Sequence, residues 1–437
     1  MPGVCAKCGR VIPPDRAACD CTAAQRRDWL HAPETILLVT LAVLAGAFAT
    51  TALAARVYHN RRRVLAESWL RQGSADLRDG HSASALSDLQ TALIYARQDV
   101  PEEQQQAYSL DLAQALVANH RLDEARAYLI DLWERAPDSA KLNLELARLA
   151  VETGDDSGAK RYYANAIYGI WDGNPQQIQQ NQRDTQLEFC RYLIGRGERT
   201  AAYSVLVAVT ASLPPDPALH TQVGGMLIEV GANAQALAQF QEALELDRRN
   251  HAALVSAGLA SFALGDDRAA VRYLGQASRE KPQPGQAEAL DPAVARDLAV
   301  ATAVVALDTS QPGLTIPERA ERSARSYQLA KARLEGCANK LGVSLPKPVA
   351  ATAGSAGAPA TNANPAPDDV PAVYAQALKM QGSSREAELT RDPRLIDSLV
   401  KVVGQMEFAA SANCGPAVEV EDEALVRIAQ RAAAAQP

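Results

Sequence analysis

Catalytic signatures are missing from this 437-residue chain. There is no G-x-x-x-x-G-K-[ST] phosphate loop, no dinucleotide glycine fingerprint, no H-E-x-x-H helix and no G-x-S-x-G elbow. The six histidines (His31, His59, His81, His120, His220 and His251) are scattered, none at a recognisable spacing from a cysteine or serine. Carboxylate pairs such as Asp155-Asp156 and Asp266-Asp267 read most simply as helix N-caps. An enzyme is therefore not expected. Aromatic residues are scarce at 5%, so a core must come from aliphatic side chains and alanine. Small alanines at helix contacts let backbones approach closely. A basic excess is also absent: the formal net charge of −7 argues against a nucleic-acid partner.

What is present begins with one long apolar run. Ile36 to Ala55 is uncharged over 20 residues, the length that crosses a hydrocarbon core of about 30 Å. Pro33 and Glu34 stop it on one side, and Arg56, His59, Arg61, Arg62 and Arg63 on the other. A signal peptide would begin nearer the N-terminus, so an uncleaved single-pass anchor in a cell (inner) membrane is expected, with the lipid bilayer as partner of residues 36–55. Orientation is contested. The basic residues after the run, with Arg71, outnumber Arg16, Arg26 and Arg27 before it, which favours a cytoplasmic C-terminal side. The cysteines favour the opposite.

Four of the seven cysteines lie within 17 residues: Cys5, Cys8, Cys19 and Cys21. Cys5-Ala6-Lys7-Cys8-Gly9 is a chelating knuckle with a glycine to free the turn, and four soft ligands suit tetrahedral Zn²⁺. Two disulfides or four uncoordinated thiols are the alternatives. The segment resembles the short zinc ribbons that precede membrane spans in bacterial proteins, departing from them by a C-x-C second pair in place of C-x-x-C. Reduced thiolates suit the cytosol. A cytosolic N-terminus places the later region in the periplasm or outside the cytoplasm, and this is the expected topology. Cys190 sits at a small, buried repeat position. Cys337 and Cys414 each end a candidate helix, and either a Cys337–Cys414 disulfide or two free thiols fits the sequence.

A turn residue followed five positions later by alanine recurs six times. The turns are Gly80, His120, Gly154, Gly197, Gly231 and Gly265; the alanines are Ala85, Ala125, Ala159, Ala202, Ala236 and Ala270. Successive turns lie 40, 34, 43, 34 and 34 residues apart, with inserts around 98–104 and 173–181. Four residues after each alanine stands Leu89, Leu129, Tyr163, Leu206, Phe240 or Leu274, and three further on Ala92, Leu132, Ala166, Val209, Ala243 or Ala277. These i, i+4, i+7 positions share one helix face. Seven residues before each turn stands Gly73, Ala113, Ala147, Cys190, Gly224 or Gly258, where a paired helix must come close. Pro137, Pro214 and Pro282 close three units. Helical patterning at a period of 34 predicts an all-α array of helical hairpins.

Trp69, Gly73, Gly80, Ala85, Leu89 and Ala92, and again Gly258, Gly265, Ala270, Leu274, Ala277 and Pro282, resemble the tetratricopeptide repeat pattern. The resemblance implies a TPR-type solenoid whose first helices line a concave, partner-binding face. Carried onto this chain, it assigns that groove to Leu70, Leu110, Gln114, Leu144, Arg148, Leu187, Arg191, Val255 and Leu259. The Lys and Asn that clamp a C-terminal carboxylate in some members are missing from these positions. An aliphatic groove with Arg148 and Arg191 near its middle suits an apolar segment bearing an acidic group. The alternative places the leucines in inter-repeat core and the arginines in solvent.

The expected organisation is a cytosolic zinc-ribbon-like segment over 1–31, a transmembrane helix over 33–57, six repeats over 64–284, a degenerate repeat or capping helices over 285–342, an Ala/Pro-rich linker over 343–369 and a helical tail over 370–437. Candidate helices after the array are Ala293–Leu307, Glu318–Leu341, Val370–Met380, Asp392–Ala410 and Glu419–Ala435. The expected role is a membrane-anchored scaffold or adaptor for proteins or peptides, in bacterial envelope assembly, secretion or pilus biogenesis. The alternative is a membrane-bound regulator whose ribbon reads a cytosolic partner, metal or nucleic acid.

Overall fold

The computed structural model describes residues 3–17, 19, 33–279, 290–347, 366 and 369–434. Cys21, Pro282 and most of the Ala/Pro-rich linker lie outside them. Eighteen helices and one two-stranded hairpin are found among the described residues, in two compact units, Met1–Thr185 and Gln186–Pro437.

The first unit opens with β1 (Gly3–Val4) antiparallel to β2 (Val11–Ile12). Helix α1 runs unbroken from Pro33 to Arg78, 46 residues or about 69 Å at 1.5 Å per residue. It joins two segments that the sequence set apart, the apolar run and the first repeat helix. No proline and no glycine other than Gly46 intervenes before Gly73, and the connecting stretch is rich in Arg, Leu and Ala, so nothing stops the helix. α2 (Ser82–Asp99) completes the first hairpin. α3 (Glu102–Ala118) with α4 (Leu122–Arg135), and α5 (Ala140–Thr153) with α6 (Asp156–Tyr168), form the next two. The insert after α6 is tied down where Ala140 donates its N–H to Ile170 and Ile170 donates to Asp138. α7 (Pro175–Gly195) uses the rest of the insert as extra helix and carries the boundary between the units.

The second unit continues with α8 (Arg199–Thr210), α9 (Pro217–Glu229), α10 (Asn233–Leu246), α11 (His251–Leu264) and α12 (Asp267–Arg279). Six further helices follow: α13 (Pro292–Leu307), α14 (Ile316–Leu341), α15 (Val370–Met380), α16 (Glu386–Arg391), α17 (Arg394–Cys414) and α18 (Val420–Ala434).

The hairpin design follows from two backbone requirements. All six turn residues have positive φ, from 58° at His120 to 85° at Gly231, the left-handed conformation that lets a chain reverse after a helix. His120 is the only non-glycine with positive φ among the described residues. The second requirement is close approach. A Cβ on Gly224 would lie 2.4 Å from Cε1 of Phe240, and one on Gly258 2.4 Å from Cγ of Leu274. The aromatic or leucine of one helix thus fills the space its partner vacates. All six recurrent alanines have no exposed surface.

Helix starts are fixed by local oxygens. Ser139, Asp155, Asp216, Asn250 and Asp266 each accept a backbone N–H of the first turn. Thr315 and Glu318 form a reciprocal capping box at α14. Asp267, grouped in sequence with the caps, has a different place: it is 4% exposed and ion-paired.

Candidate functional site

Three regions carry side chains with chemistry. In the first, the β1–β2 turn brings cysteines together. Cys5 donates its N–H to Arg10, Gly9 donates to Cys5, and Gly9 has φ 68°. The Sγ atoms of Cys5, Cys8 and Cys19 lie within 4.8 Å of one another, with Cys8 and Cys19 3.4 Å apart. A tetrahedral ion about 2.3 Å from each sulfur needs sulfurs roughly 3.8 Å apart, so the three thiols fit a soft ion. Cys21, the fourth expected ligand, lies outside the described residues. The Cys5 thiol is lowered to about 6, chiefly by the backbone N–H of Lys7 and then that of Cys8, which favours the ligating thiolate.

The second region is the first-helix face of the repeats. In the first unit Leu110 and Leu144 are buried, at 5% and 8% exposure, while Leu70 is half-buried. In the second unit Leu187 is buried at 3%, and Val255 and Leu259 are half-buried. The groove expected from the sequence is therefore less aliphatic than its residue types imply, because Leu110, Leu144 and Leu187 spend their side chains on the repeat core. Its polar members are also tied. Gln114 donates to Oε1 of Glu145 at 2.8 Å, and Arg148 donates to the same oxygen at 3.0 Å. Glu145 escaped sequence reasoning because it stands off the recurrent positions. Ser74 donates to Asp111 at 2.6 Å in the same manner between the first and second hairpins. Arg191 is exposed and makes no hydrogen bond or ion pair among the described residues.

The third region follows the last repeat. Cys337 of α14 and Cys414 at the end of α17 form a disulfide with Cα atoms 5.7 Å apart. Beside it Arg333 pairs with Glu407, which has no exposed surface, and donates to Ser411 Oγ at 3.1 Å and to the Gly415 carbonyl. Burial lifts the Glu407 carboxyl to about 7, with the Arg333 charge opposing only part of the effect. Tyr327, fully buried, donates its hydroxyl to the Ala377 carbonyl at 2.8 Å. Helices α13 to α18 share one apolar core built on Val304, Tyr327, Leu334, Leu399 and Met406. The tail after the linker is thus packed onto α13 and α14. α18 also returns to the last repeat: Arg431 pairs with Asp267, and Arg427 donates to the Phe262 carbonyl at 2.8 Å with its guanidinium 3.7 Å from the ring centroid.

Residues 116–167 match the tetratricopeptide repeat family model. Over that stretch the chain is similar to tetratricopeptide repeats. The matched stretch holds the second and third turns, His120 and Gly154, their alanines Ala125 and Ala159, and the third hairpin up to Ile167. No curated protein matches the chain. Among solved structures, YrrB, described as a TPR protein with an unusual peptide-binding site, is 18% identical; the alignment covers 43% of this chain and 90% of that one at a TM-score of 0.34. A MamA RS-1 double mutant is 14% identical, covering 39% and 92% at 0.31. The TPR2AB domain of yeast Sti1 in complex with an Hsp90 peptide is 14% identical, covering 49% and 90% at 0.21. The all-α hairpin fold itself stands on the six turns and their packed alanines.

Proposed function

We propose that this chain is a membrane-anchored scaffold that holds protein or peptide partners on its repeats. The observation that carries the reading is α1. Its N-terminal half is apolar and fully exposed, with Leu44 at 66% and Phe48 at 78%, while its C-terminal half is the first helix of the first hairpin, where Ala66 and Gly73 are buried. An exposed apolar surface of this length supports a bilayer span. Because one helix serves both purposes, the array starts rigidly at the membrane surface. The partner-binding surface is the first-helix face of each unit: half-exposed Arg148 and half-buried Leu70 in the first, and exposed Arg191 with half-buried Val255 and Leu259 in the second.

Zn²⁺ held by Cys5, Cys8, Cys19 and Cys21 is the cofactor we assign to the N-terminal hairpin. A thiolate site at one end and a disulfide at the other support opposite sides of the membrane, with the ribbon in the cytosol and the repeats outside it. This layout fits envelope assembly, secretion or pilus biogenesis. The regulator reading has the cysteine cluster in its favour. If it holds, Cys5→Ser with Cys8→Ser abolishes function while the chain stays membrane-bound.

The scaffold reading is tested by photo-crosslinking from Arg148 and Arg191, with Arg126 on α4 as the control position. Specific adducts at the first two and none at the control, together with loss of partner capture by the Arg148→Ala, Arg191→Ala chain, support it. Unchanged capture by that double variant removes the groove assignment.

A further inference from the structure

We propose that the cleft where α1 leaves the apolar run binds the phosphate headgroup of an anionic phospholipid. The inference rests on the reading of Ile36–Ala55 as a membrane span. The cleft has a volume of about 820 Å³ and is lined on α1 by Leu53, Arg56, Val57, His59, Asn60 and Arg63; the end of α2 at Asp99 closes it. Along these two to three turns the lining passes from apolar to basic over about 15 Å. Leu53 lies in the last turn of the apolar run, and Arg56, Val57 and Arg63 follow it within the next three turns of α1.

The local charges favour an anion. Asp99 is the one carboxylate lining the cleft, and it is already neutralised. Its side chain is 1% exposed, Arg62 Nε lies 2.7 Å from Oδ2, and His59 Nδ1 pairs with Oδ1. The partial negative charge at the C-terminus of α2 is met in the same way: Arg63 donates Nε to the Asp99 carbonyl and Arg62 donates to that of Ile94. This anchors Arg63 while leaving its terminal nitrogens available. Arg56 makes no hydrogen bond or ion pair among the described residues. Two guanidinium groups, one anchored and one unengaged, offer the planar paired donors that phosphate oxygens accept. The apolar lining beside them distinguishes a lipid from a free phosphate ion. Headgroup binding here would fix the first hairpin against the membrane plane.

The full chain is placed in nanodiscs of phosphatidylcholine alone, of phosphatidylcholine with phosphatidylglycerol, and of phosphatidylcholine with inorganic phosphate in solution. Embedding is checked first by flotation; a chain that does not embed overturns the membrane reading and this inference with it. For an embedded chain, native mass spectrometry is expected to show phosphatidylglycerol retained, and the end of α2 to gain hydrogen-exchange protection only in that mixture. Arg56→Gln, which breaks no protein contact, lowers retention about fivefold. Arg71→Gln, an equal charge change outside the cleft, leaves it unchanged. Equal losses in the two variants, or the same protection from inorganic phosphate alone, overturns the site while leaving the membrane span intact.

Discussion

His120 holds a left-handed turn where the five other repeats use glycine. A side chain in that conformation costs on the order of 1 kcal/mol. His120→Gly is therefore expected to raise stability by about 1 kcal/mol, and Gly231→Ala to lower it by a similar amount, read as opposite shifts of the urea midpoint. Glu407 sets a pH dependence. Its folded pKa of about 7 lies above the ordinary value of 4.5, so the folded chain holds the proton more tightly than the unfolded one. Its contribution is complete below about 4.5 and is lost as pH rises through about 7, by at most about 1.4 kcal/mol per unit. Asp422, raised chiefly by burial, acts with the same sign. Glu407→Gln should flatten most of that slope in urea titrations across the window; an unchanged slope would show that Glu407 is not its source. The turns and the alanine ladder were legible in the sequence because each repeats at a fixed spacing. Glu407, Asp99 and Glu145 were not, because each is defined by a partner from another helix: Arg333 is 74 residues from Glu407, and His59 40 from Asp99.

At the level of elements, five of the six helices after the array were readable from their apolar periodicity. Val370–Met380 was placed to the residue, and the other four within a few residues of their ends. The short α16 was not expected, because three of its six residues are charged and only Leu389 is buried. Where those helices dock could not be read, because docking is decided by single contacts. The disulfide closes a separation of 77 residues, and the entropy of so long a loop corresponds to roughly 4 kcal/mol. Cys337→Ser with Cys414→Ser should therefore lower the unfolding midpoint of the C-terminal helices markedly, and dithiothreitol should reproduce the loss in the unaltered chain only. Asp267 joins α18 to the last repeat through Arg431 and Arg427. Asp267→Ala leaves two arginines without that carboxylate and costs on the order of 2 kcal/mol, somewhat less for the solvent-exposed share of Arg431. Hydrogen exchange should show α18 losing protection while α14 and α17, held by the disulfide, keep theirs. The join between the apolar run and the first repeat escaped notice for a different reason: the basic residues Arg61 to Arg63 look like a boundary in sequence, yet Arg62 and Arg63 point their charges at the end of α2 and leave α1 unbroken.

For the whole molecule, the all-α fold class was legible in the period of 34. The partner is not encoded in a comparable regularity, since the exposed first-helix residues differ from repeat to repeat. The central claim is a molecule with a reduced thiolate hairpin on one side of a membrane and disulfide-closed repeats on the other, joined by α1. Thiol labelling of the full chain in intact cells with a membrane-impermeant maleimide tests it most directly. Cys8 should react only after the membrane is permeabilised, whereas Cys337 and Cys414 should react in intact cells once an impermeant phosphine has reduced them. Labelling of Cys8 in intact cells, or protection of the reduced Cys337 and Cys414 until permeabilisation, would contradict it.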